Sequence, residues 1–162
     1  MRIKPAGAFG FTAAVGLILG AISIGAQDGA TGGSSDDPVI AQLHAQSVKF
    51  LDGISAGEIE TAYGEFLKNS QLGKQTAAVN GLIDKTRGLT KYGEFRAHER
   101  IDVRRIGADL VLLKYLYKCD DFPVVWYFTY YRDFRHEATT DGAEHWVIVA
   151  VRFDSELELL GL

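Results

Sequence analysis

The residues best suited to chemistry lie in an aromatic and β-branched run in the C-terminal half of the chain. If this run is a strand, Trp126, Phe128 and Tyr130 alternate onto one face as an apolar wall that ends at Arg132. Small-ligand sites have this composition, mostly apolar with a few polar groups, and the guanidinium would meet an anionic group of the ligand. The hydroxyl of Tyr63 is a fifth candidate for the pocket. Core packing or a dimer face is the alternative explanation for the aromatic wall.

A catalytic set is harder to assemble from the same sequence. His98 and Asp102 share a face if residues 94–105 form one regular strand, but four residues at about 3.3 Å each hold them about 13 Å apart. That separation is too large for a hydrogen-bonded acid/base pair. An enzyme with a cleft would have to use these two residues together with Tyr63 and Tyr130. The sequence contains no Gly-rich phosphate loop, nucleophile elbow or zinc motif, so it leaves enzymatic activity open and favours a non-catalytic protein.

Metal and thiol chemistry are also weakly supported. His136 and His145 flank the last predicted turn near several carboxylates, but their spacing matches no strong metal motif. We therefore expect a solvated loop there, and neither a metal nor a cofactor.

Cys119 is the single cysteine and precedes Asp120 and Asp121, whose charges should raise the pKa of its thiol. An intermolecular disulfide is the alternative to a small, half-buried residue.

The overall composition fits one globular domain. The 162 residues are 47% hydrophobic and 23% charged, which are ordinary values for a folded domain. The formal net charge is -4 and no basic patch dominates, so nucleic acid is not an expected partner.

The N-terminal segment has a different character. Arg2 and Lys4 precede a run without charges over residues 6–26, which is the layout of a secretory signal peptide and predicts a periplasmic or secreted protein. The same run is long enough to span a bilayer, so a membrane anchor that retains residues 6–26 is the alternative. The polar residues 27–37 follow as a predicted flexible linker, and residues 38–162 form the predicted single domain.

Three helices are predicted after the linker. Asp37 can cap the first helix, and Pro38 suits its first position. Residues 55–58 (Ser-Ala-Gly-Glu) have the pattern of a capping box at the start of the second helix. The third helix is predicted over residues 74–88, where residues 80–81 (Asn-Gly) are unfavourable and allow a kink or break.

The remaining residues change to a strand-like period. Strands are predicted at about 94–105, 109–118, 123–135 and 144–153. Their short connections favour antiparallel pairing, which makes the aromatic run the central strand between the second and fourth. The predicted fold is α+β, with three N-terminal helices packed on a four-stranded antiparallel sheet. One face of the central strand should pack on the helices, and the other should meet a second copy, a partner or more of its own chain.

Several local features resemble a known group of proteins over roughly residues 38–160. They are the helical segment 50–54 (Phe-Leu-Asp-Gly-Ile), residues 91–93 (Lys-Tyr-Gly), the aromatic strand and residues 146–148 (Trp-Val-Ile). Together they resemble small exported bacterial proteins of the nuclear-transport-factor-2-like group, within the cystatin-like fold. The resemblance implies a curved sheet that forms a cone with the helices around a pocket.

The same resemblance implies a choice between binding and catalysis. Some members of the group are enzymes, such as ketosteroid isomerase and polyketide-cyclase-like proteins, whereas many others bind ligands or dimerise through the sheet. We expect a non-catalytic exported domain that binds a small ligand or protein partner through its aromatic sheet face or cleft. A cleft enzyme similar to those members is the alternative.

Overall fold

The computed structural model describes residues 37–134 and 144–155. Within them the predicted α+β class is confirmed, because three helices and a four-stranded antiparallel sheet are present. The predicted signal peptide and nearly all of the linker lie outside the described residues. No helix in the described part of the chain is long and apolar enough to cross a membrane. The elements are α1 (Pro38–Ser55), α2 (Ile59–Leu67), α3 (Thr76–Arg87), β1 (Phe95–Ile106), β2 (Leu110–Cys119), β3 (Val124–Arg132) and β4 (Trp146–Asp154), with short 3-10 turns at Leu72–Lys74 and Gly88–Tyr92.

The start of α1 is the one that the sequence predicts. The carboxylate of Asp37 accepts a hydrogen bond from the backbone N–H of Val39 at 2.9 Å, and Pro38 follows the cap. This arrangement satisfies a free amide of the first turn, and the fixed φ of proline suits the position.

The predicted capping box of α2 is wrong, because residues 55–58 end α1 instead. Gly57 has a left-handed φ of 80°, its N–H donates to the carbonyl of Ile54, and the N–H of Glu58 donates to the carbonyl of Gly53. These two bonds form a Schellman motif, which ends a helix. The Glu58 side chain makes no capping hydrogen bond to α2, and the Ser55 hydroxyl donates back to the carbonyl of Asp52.

The third helix runs unbroken from Thr76 to Arg87. Asn80 and Gly81 lie on its exposed side, where no other residue constrains them. The buried side chains of Ile83 and Thr86 anchor the helix to the rest of the domain, which offsets the cost of about 1 kcal/mol for a glycine within a helix.

The sheet has the order β1-β2-β3-β4 with antiparallel pairing throughout. β3 is therefore the central strand between β2 and β4, as predicted. It ends at Arg132, whereas the sequence predicts a strand that extends to about residue 135 and would include Phe134. The Phe134 side chain lies beyond the strand and is 58% exposed.

The two faces of β3 differ in burial. Its inward side chains pack against Ile40 and Leu43 of α1 in one hydrophobic core. On the opposite face Val125 is buried, Tyr127 and Thr129 are half-buried and Tyr131 is exposed. The fully buried inward side chains are Val124, Trp126, Phe128 and Tyr130.

A bulge in β1 changes the predicted relation between His98 and Asp102. His98 pairs with Tyr117 and Asp102 pairs with Lys114, with a shift of register between them. Because the extra residue reverses the alternation, the two side chains lie on opposite faces of the sheet. The expectation that they share a face is therefore wrong. Asp102 forms an ion pair with Lys114 at 3.4 Å, and His98 instead contacts α1.

Candidate functional site

A cleft of about 400 Å³ opens between α1, α2 and the beginning of β4. Its buried apolar residues form a floor, and its exposed polar residues form a rim. The floor residues are Phe50, Trp146, Val147 and Ile148. The rim residues are Gln42, Gln46, Lys49, Glu58, Thr61, Glu65, Lys68 and Asn69. Gly53, Ala62, Phe66, Ser70 and His145 complete the lining.

The floor of the cleft rests on stacked aromatic rings. Phe50 stacks on Phe66 with their ring centroids 4.6 Å apart. Phe66 meets Phe128 edge-to-face at 5.5 Å and Tyr130 at 6.3 Å. Such contacts hold rings in fixed orientations beyond what area burial provides. The cleft wall is thus supported directly by the central strand.

The close approach of α1 and α2 depends on a glycine. A Cβ atom added to Gly53 would lie 2.9 Å from the Cβ atom of Ala62, which is too close for an ordinary contact. The pair therefore sets the spacing of the two helices at the cleft.

Four of the five predicted ligand contacts lie beneath the cleft. The side chains of Tyr63, Trp126, Phe128 and Tyr130 are all 0% exposed and belong to one core cluster. None of them lines the cleft. The Tyr63 hydroxyl is hydrogen-bonded to Thr86 at 2.9 Å. The aromatic wall therefore supports Phe50 and Phe66, which line the cleft.

The fifth candidate, Arg132, is neutralised within the chain. One of its amino groups lies 2.6 Å from a carboxylate oxygen of Asp109, and the other lies 2.9 Å from one of Glu144. Its guanidinium also lies over the ring of Phe134. Two carboxylates compensate the positive charge, and Arg132 is not among the residues that line the cleft.

The sequence analysis missed the residues that form the rim of the cleft. Gln42, Gln46 and Lys49 follow each other at helical spacing on α1, and this polar stripe resembles any solvated helix face. Lys49 reaches across to Glu65 of α2 at 2.6 Å, and this hydrogen bond lowers the pKa of Glu65. No signal in the sequence distinguishes such a rim from ordinary surface, because it depends on the neighbouring α2 and β4.

A second polar cluster lies on the opposite side of α1. His44 is two residues from Gln42, which is about 200° around the helix. Its Nδ1 atom lies 2.6 Å from the Tyr115 hydroxyl, and the two rings are stacked. The Nε2 atom of His98 lies 2.8 Å from a carboxylate oxygen of Asp52. The four side chains join α1 to β1 and β2.

The environment of this cluster shifts two pKa values. Burial lowers the pKa of His44, and the charges of Arg100 and His98 lower it further. Burial raises the pKa of Tyr115 to about 12, although hydrogen bonding to Ser47 and the charge of Arg100 act in the opposite direction. At neutral pH Tyr115 therefore keeps its proton and His44 is uncharged.

The remaining candidates are Cys119 and the two histidines beside the last predicted turn. Cys119 is half-buried, and burial raises the pKa of its thiol, with a smaller contribution from Asp120. The predicted direction is confirmed, but burial rather than the carboxylate is the larger cause. His145 lines the cleft, whereas His136 lies outside the described residues. Within residues 37–134 and 144–155, no group of three or more His, Cys, Asp and Glu side chains is placed to hold a metal.

No protein-family model matches the chain, and no curated protein or solved structure matches it. The geometry of the chain is therefore the basis for a functional proposal.

Proposed function

We propose that this domain is a non-catalytic binding protein that holds a small molecule in the cleft between α1, α2 and β4. The observation that carries the proposal is the cleft itself, with about 400 Å³ of space, an apolar floor and a polar rim. Ligand pockets typically have volumes of about 300–1,000 Å³ and combine apolar walls with a few polar groups.

The charges at the rim favour a neutral ligand with one apolar face. Lys49 and Glu65 are paired with each other at 2.6 Å, and the two other charged rim residues, Glu58 and Lys68, are opposite in sign, so the rim has no net charge. Gln42 and Gln46 offer amide donors and acceptors from α1. Phe66 offers an aromatic surface below them. An apolar face of the ligand would cover the ring, and its polar groups would bond the amides.

Binding of the neutral fluorescent probe N-phenyl-1-naphthylamine tests this proposal. Gln46→Trp fills the cleft from its exposed rim, whereas Ala45→Trp adds the same bulk on an exposed part of α1 that does not line the cleft. We expect saturable binding by the wild type and by Ala45→Trp. Gln46→Trp should bind at least ~10-fold more weakly, because the probe loses its apolar contact area.

Thermal unfolding should show that both variants are folded. Equal probe binding by the two variants would remove the cleft as the site. The proposal also fails if the wild type shows no saturable binding and native mass spectrometry finds no molecule that co-purifies with it.

The cleft enzyme is less well supported than the binding protein. The residues that such an enzyme would have to use were His98, Asp102, Tyr63 and Tyr130. None of them lines the cleft, and His98 and Asp102 lie on opposite faces of the sheet. Glu58 and Glu65 line the cleft but are exposed, and Glu65 is paired with Lys49.

We also propose that the sheet curves around the helices, as in the cone of the nuclear-transport-factor-2-like group. Two register shifts in β1 and one at Thr129–Tyr130 in the pairing of β3 with β4 support this proposal, because bulges bend strands and increase their twist. A crystal structure that showed a flat sheet would contradict it.

Export and self-association complete the proposal. The charge-free run of residues 6–26 supports a secretory signal, and N-terminal mass spectrometry of the exported protein would distinguish cleavage near Ala26 from a retained anchor.

The exposed apolar side chains of Ile106 and Tyr131 support a homodimer through the sheet face opposite the helices.

A further inference from the structure

We propose that His44, His98 and Arg100 form a binding site for an oxyanion of phosphate size, where α1 packs on β1. All three side chains are half-buried, so they are partly shielded and still open to solvent. The site lies on the opposite side of α1 from the cleft and is independent of the ligand proposed there.

Arg100 differs from the other half-buried arginines of the described residues. Arg105 forms an ion pair with Asp37 at 2.5 Å, and Arg132 forms ion pairs with Asp109 and Glu144. Arg100 has no ion pair with a carboxylate within the described part of the chain. A partly desolvated guanidinium is stabilised by a bound negative charge, and here an external anion would supply it.

The hydrogen bond between Tyr115 and His44 leaves one nitrogen of the imidazole as a donor. Tyr115 carries its proton at neutral pH and His44 is uncharged, as the directions of their pKa shifts require. Of the two possible directions of the 2.6 Å contact, we assign the Tyr115 O–H group as the donor and Nδ1 of His44 as the acceptor. A neutral imidazole whose Nδ1 accepts carries its proton on Nε2, so His44 offers an N–H group beside the charge of Arg100.

His98 brings its own counter-charge to the site. Its Nε2 atom donates to Asp52 at 2.8 Å, and its ring meets the edge of Tyr115 with 6.5 Å between centroids. Asp52 is the carboxylate in contact with this cluster. Because Nε2 of His98 donates to Asp52, the Nδ1 atom of His98 can accept the O–H group of a hydrogen phosphate ion.

The three groups suit an oxyanion that also carries an O–H group. A guanidinium presents two parallel N–H groups that match a phosphate or carboxylate, His44 adds an N–H donor from α1, and His98 adds an acceptor nitrogen from β1. A halide has no separate oxygen atoms to bond these groups. Hydrogen phosphate can bond all three, whereas acetate has no O–H group for His98.

Titration of the folded domain with inorganic phosphate, followed by NMR of the histidine ring nitrogens, tests the proposal. Ionic strength is held constant with sodium chloride, and sodium acetate is titrated separately. We expect saturable shifts of the His44 and His98 rings and none of the His145 ring. Acetate that binds as tightly as phosphate would overturn the assignment to phosphate.

Two variants separate the site from general charge. Arg100→Gln should weaken phosphate binding at least ~10-fold, because hydrogen bonds to a charged group are stronger than those between neutral groups. Arg104→Gln removes the same charge from an exposed position of β1 and should change binding less than about twofold, since surface charges act weakly through screened solvent.

His98→Gln keeps Arg100 in place and should also weaken binding, which provides a second test if Arg100→Gln does not fold. Linear, unsaturated shifts in the wild type would overturn the proposal. Equal phosphate binding by the wild type and Arg100→Gln, or by the wild type and His98→Gln, would also overturn it.

Discussion

At the residue scale, two pairs of buried hydroxyl groups join neighbouring elements. Ser47 is hydrogen-bonded to Tyr130 at 2.7 Å, and Tyr63 is bonded to Thr86 at 2.9 Å. A buried hydroxyl without a partner costs free energy, so each pair specifies how two elements pack. The first pair joins α1 to β3, and the second joins α2 to α3. Two tyrosines that the sequence suggested as ligand contacts therefore position the elements that surround the cleft.

The Ser47–Tyr130 pair can be measured by a double-mutant cycle. Ser47→Ala and Tyr130→Phe should each lower the free energy of unfolding by about 1–3 kcal/mol, because each leaves a buried partner without its bond. The double variant should lose at least about 1 kcal/mol less than the sum of the two single losses, since no orphaned hydroxyl of the pair remains. Urea unfolding of the four proteins measures the coupling, and simple additivity would show that the pair contributes nothing specific.

Tyr63 should make the stability of the domain depend on pH in the alkaline range. Burial raises the pKa of Tyr63 to about 12, from 10.0 for an exposed tyrosine. Below pH 10 the Tyr63 hydroxyl keeps its proton in both the folded and the unfolded chain. Between these two pKa values the unfolded chain releases the proton and the folded chain keeps it, so stability falls as pH rises. The loss is at most about 3 kcal/mol, from about 1.36 kcal/mol per pKa unit.

A comparison with Tyr63→Phe isolates this contribution. The variant lacks the ionisable group, so its unfolding free energy should fall less between about pH 9 and about pH 11.5 than that of the wild type. Urea unfolding at both pH values gives the two losses. Equal losses would mean that Tyr63 titrates normally in the folded state.

At the element scale, a glycine fixes the entry into the sheet. Gly93 has a φ of 89°, and the backbone beside it docks on the turn after β2. The N–H of Asp121 donates to the carbonyl of Tyr92, and the N–H of Asp120 donates to that of Glu94. The residue at this position must therefore adopt a left-handed φ and have no Cβ atom, and only glycine meets both conditions.

Substitution of two glycines tests that requirement. In Gly93→Ala the added Cβ atom would lie 2.9 Å from the Cβ atom of Asp120 and 3.1 Å from a carboxylate oxygen of Asp121. The strained φ adds to the clash, so we expect a loss of about 1–3 kcal/mol in unfolding free energy. Gly81→Ala meets nothing within 4 Å and should stabilise α3 by about 0.5–1 kcal/mol. Thermal or urea unfolding of both variants measures the contrast, and effects of the same sign would contradict it.

The elements were predictable where local chemistry decides them. The Asp37 cap and the change from helical to alternating period mark real boundaries. The four residues 55–58 fit both a capping box and the end of a helix, and the left-handed φ of Gly57 decides between them. The bulge after Arg100 arises from pairing with β2, so no pattern within β1 alone reveals it.

The candidate site was less predictable than the fold. Alternation in β3 correctly separates two faces, but it does not show which side chains cover the inward one. Phe50 and Phe66 come from two helices and cover Phe128. The cleft is then completed by Trp146, which is distant in sequence. A site assembled from separate segments depends on tertiary packing, for which the sequence carries no local signal.

At the scale of the whole molecule, the sheet face opposite the helices has a charged end and an apolar end. Lys114 is paired with Asp102, and Lys118 is paired with Glu99. Toward the other end, Ile106 lies opposite Leu110, and Leu110 lies opposite Tyr131. Ile106 is 49% exposed and Tyr131 is 41% exposed. Exposed apolar side chains that adjoin one another mark surfaces that other molecules cover.

We therefore expect residues 27–162 to form a homodimer through the apolar end of this face. Ile106→Glu should shift the protein to a monomer, because a charge in the core of an interface is desolvated without a partner. Ile101→Glu is the matched control, since Ile101 is also an exposed isoleucine of β1 but lies in the bulge between Arg100 and Asp102. Size-exclusion chromatography with light scattering at about 100 µM protein gives the mass of each form. This assignment of the interface is contradicted if the wild type is a monomer. It is also contradicted if Ile101→Glu is a monomer while Ile106→Glu is a dimer.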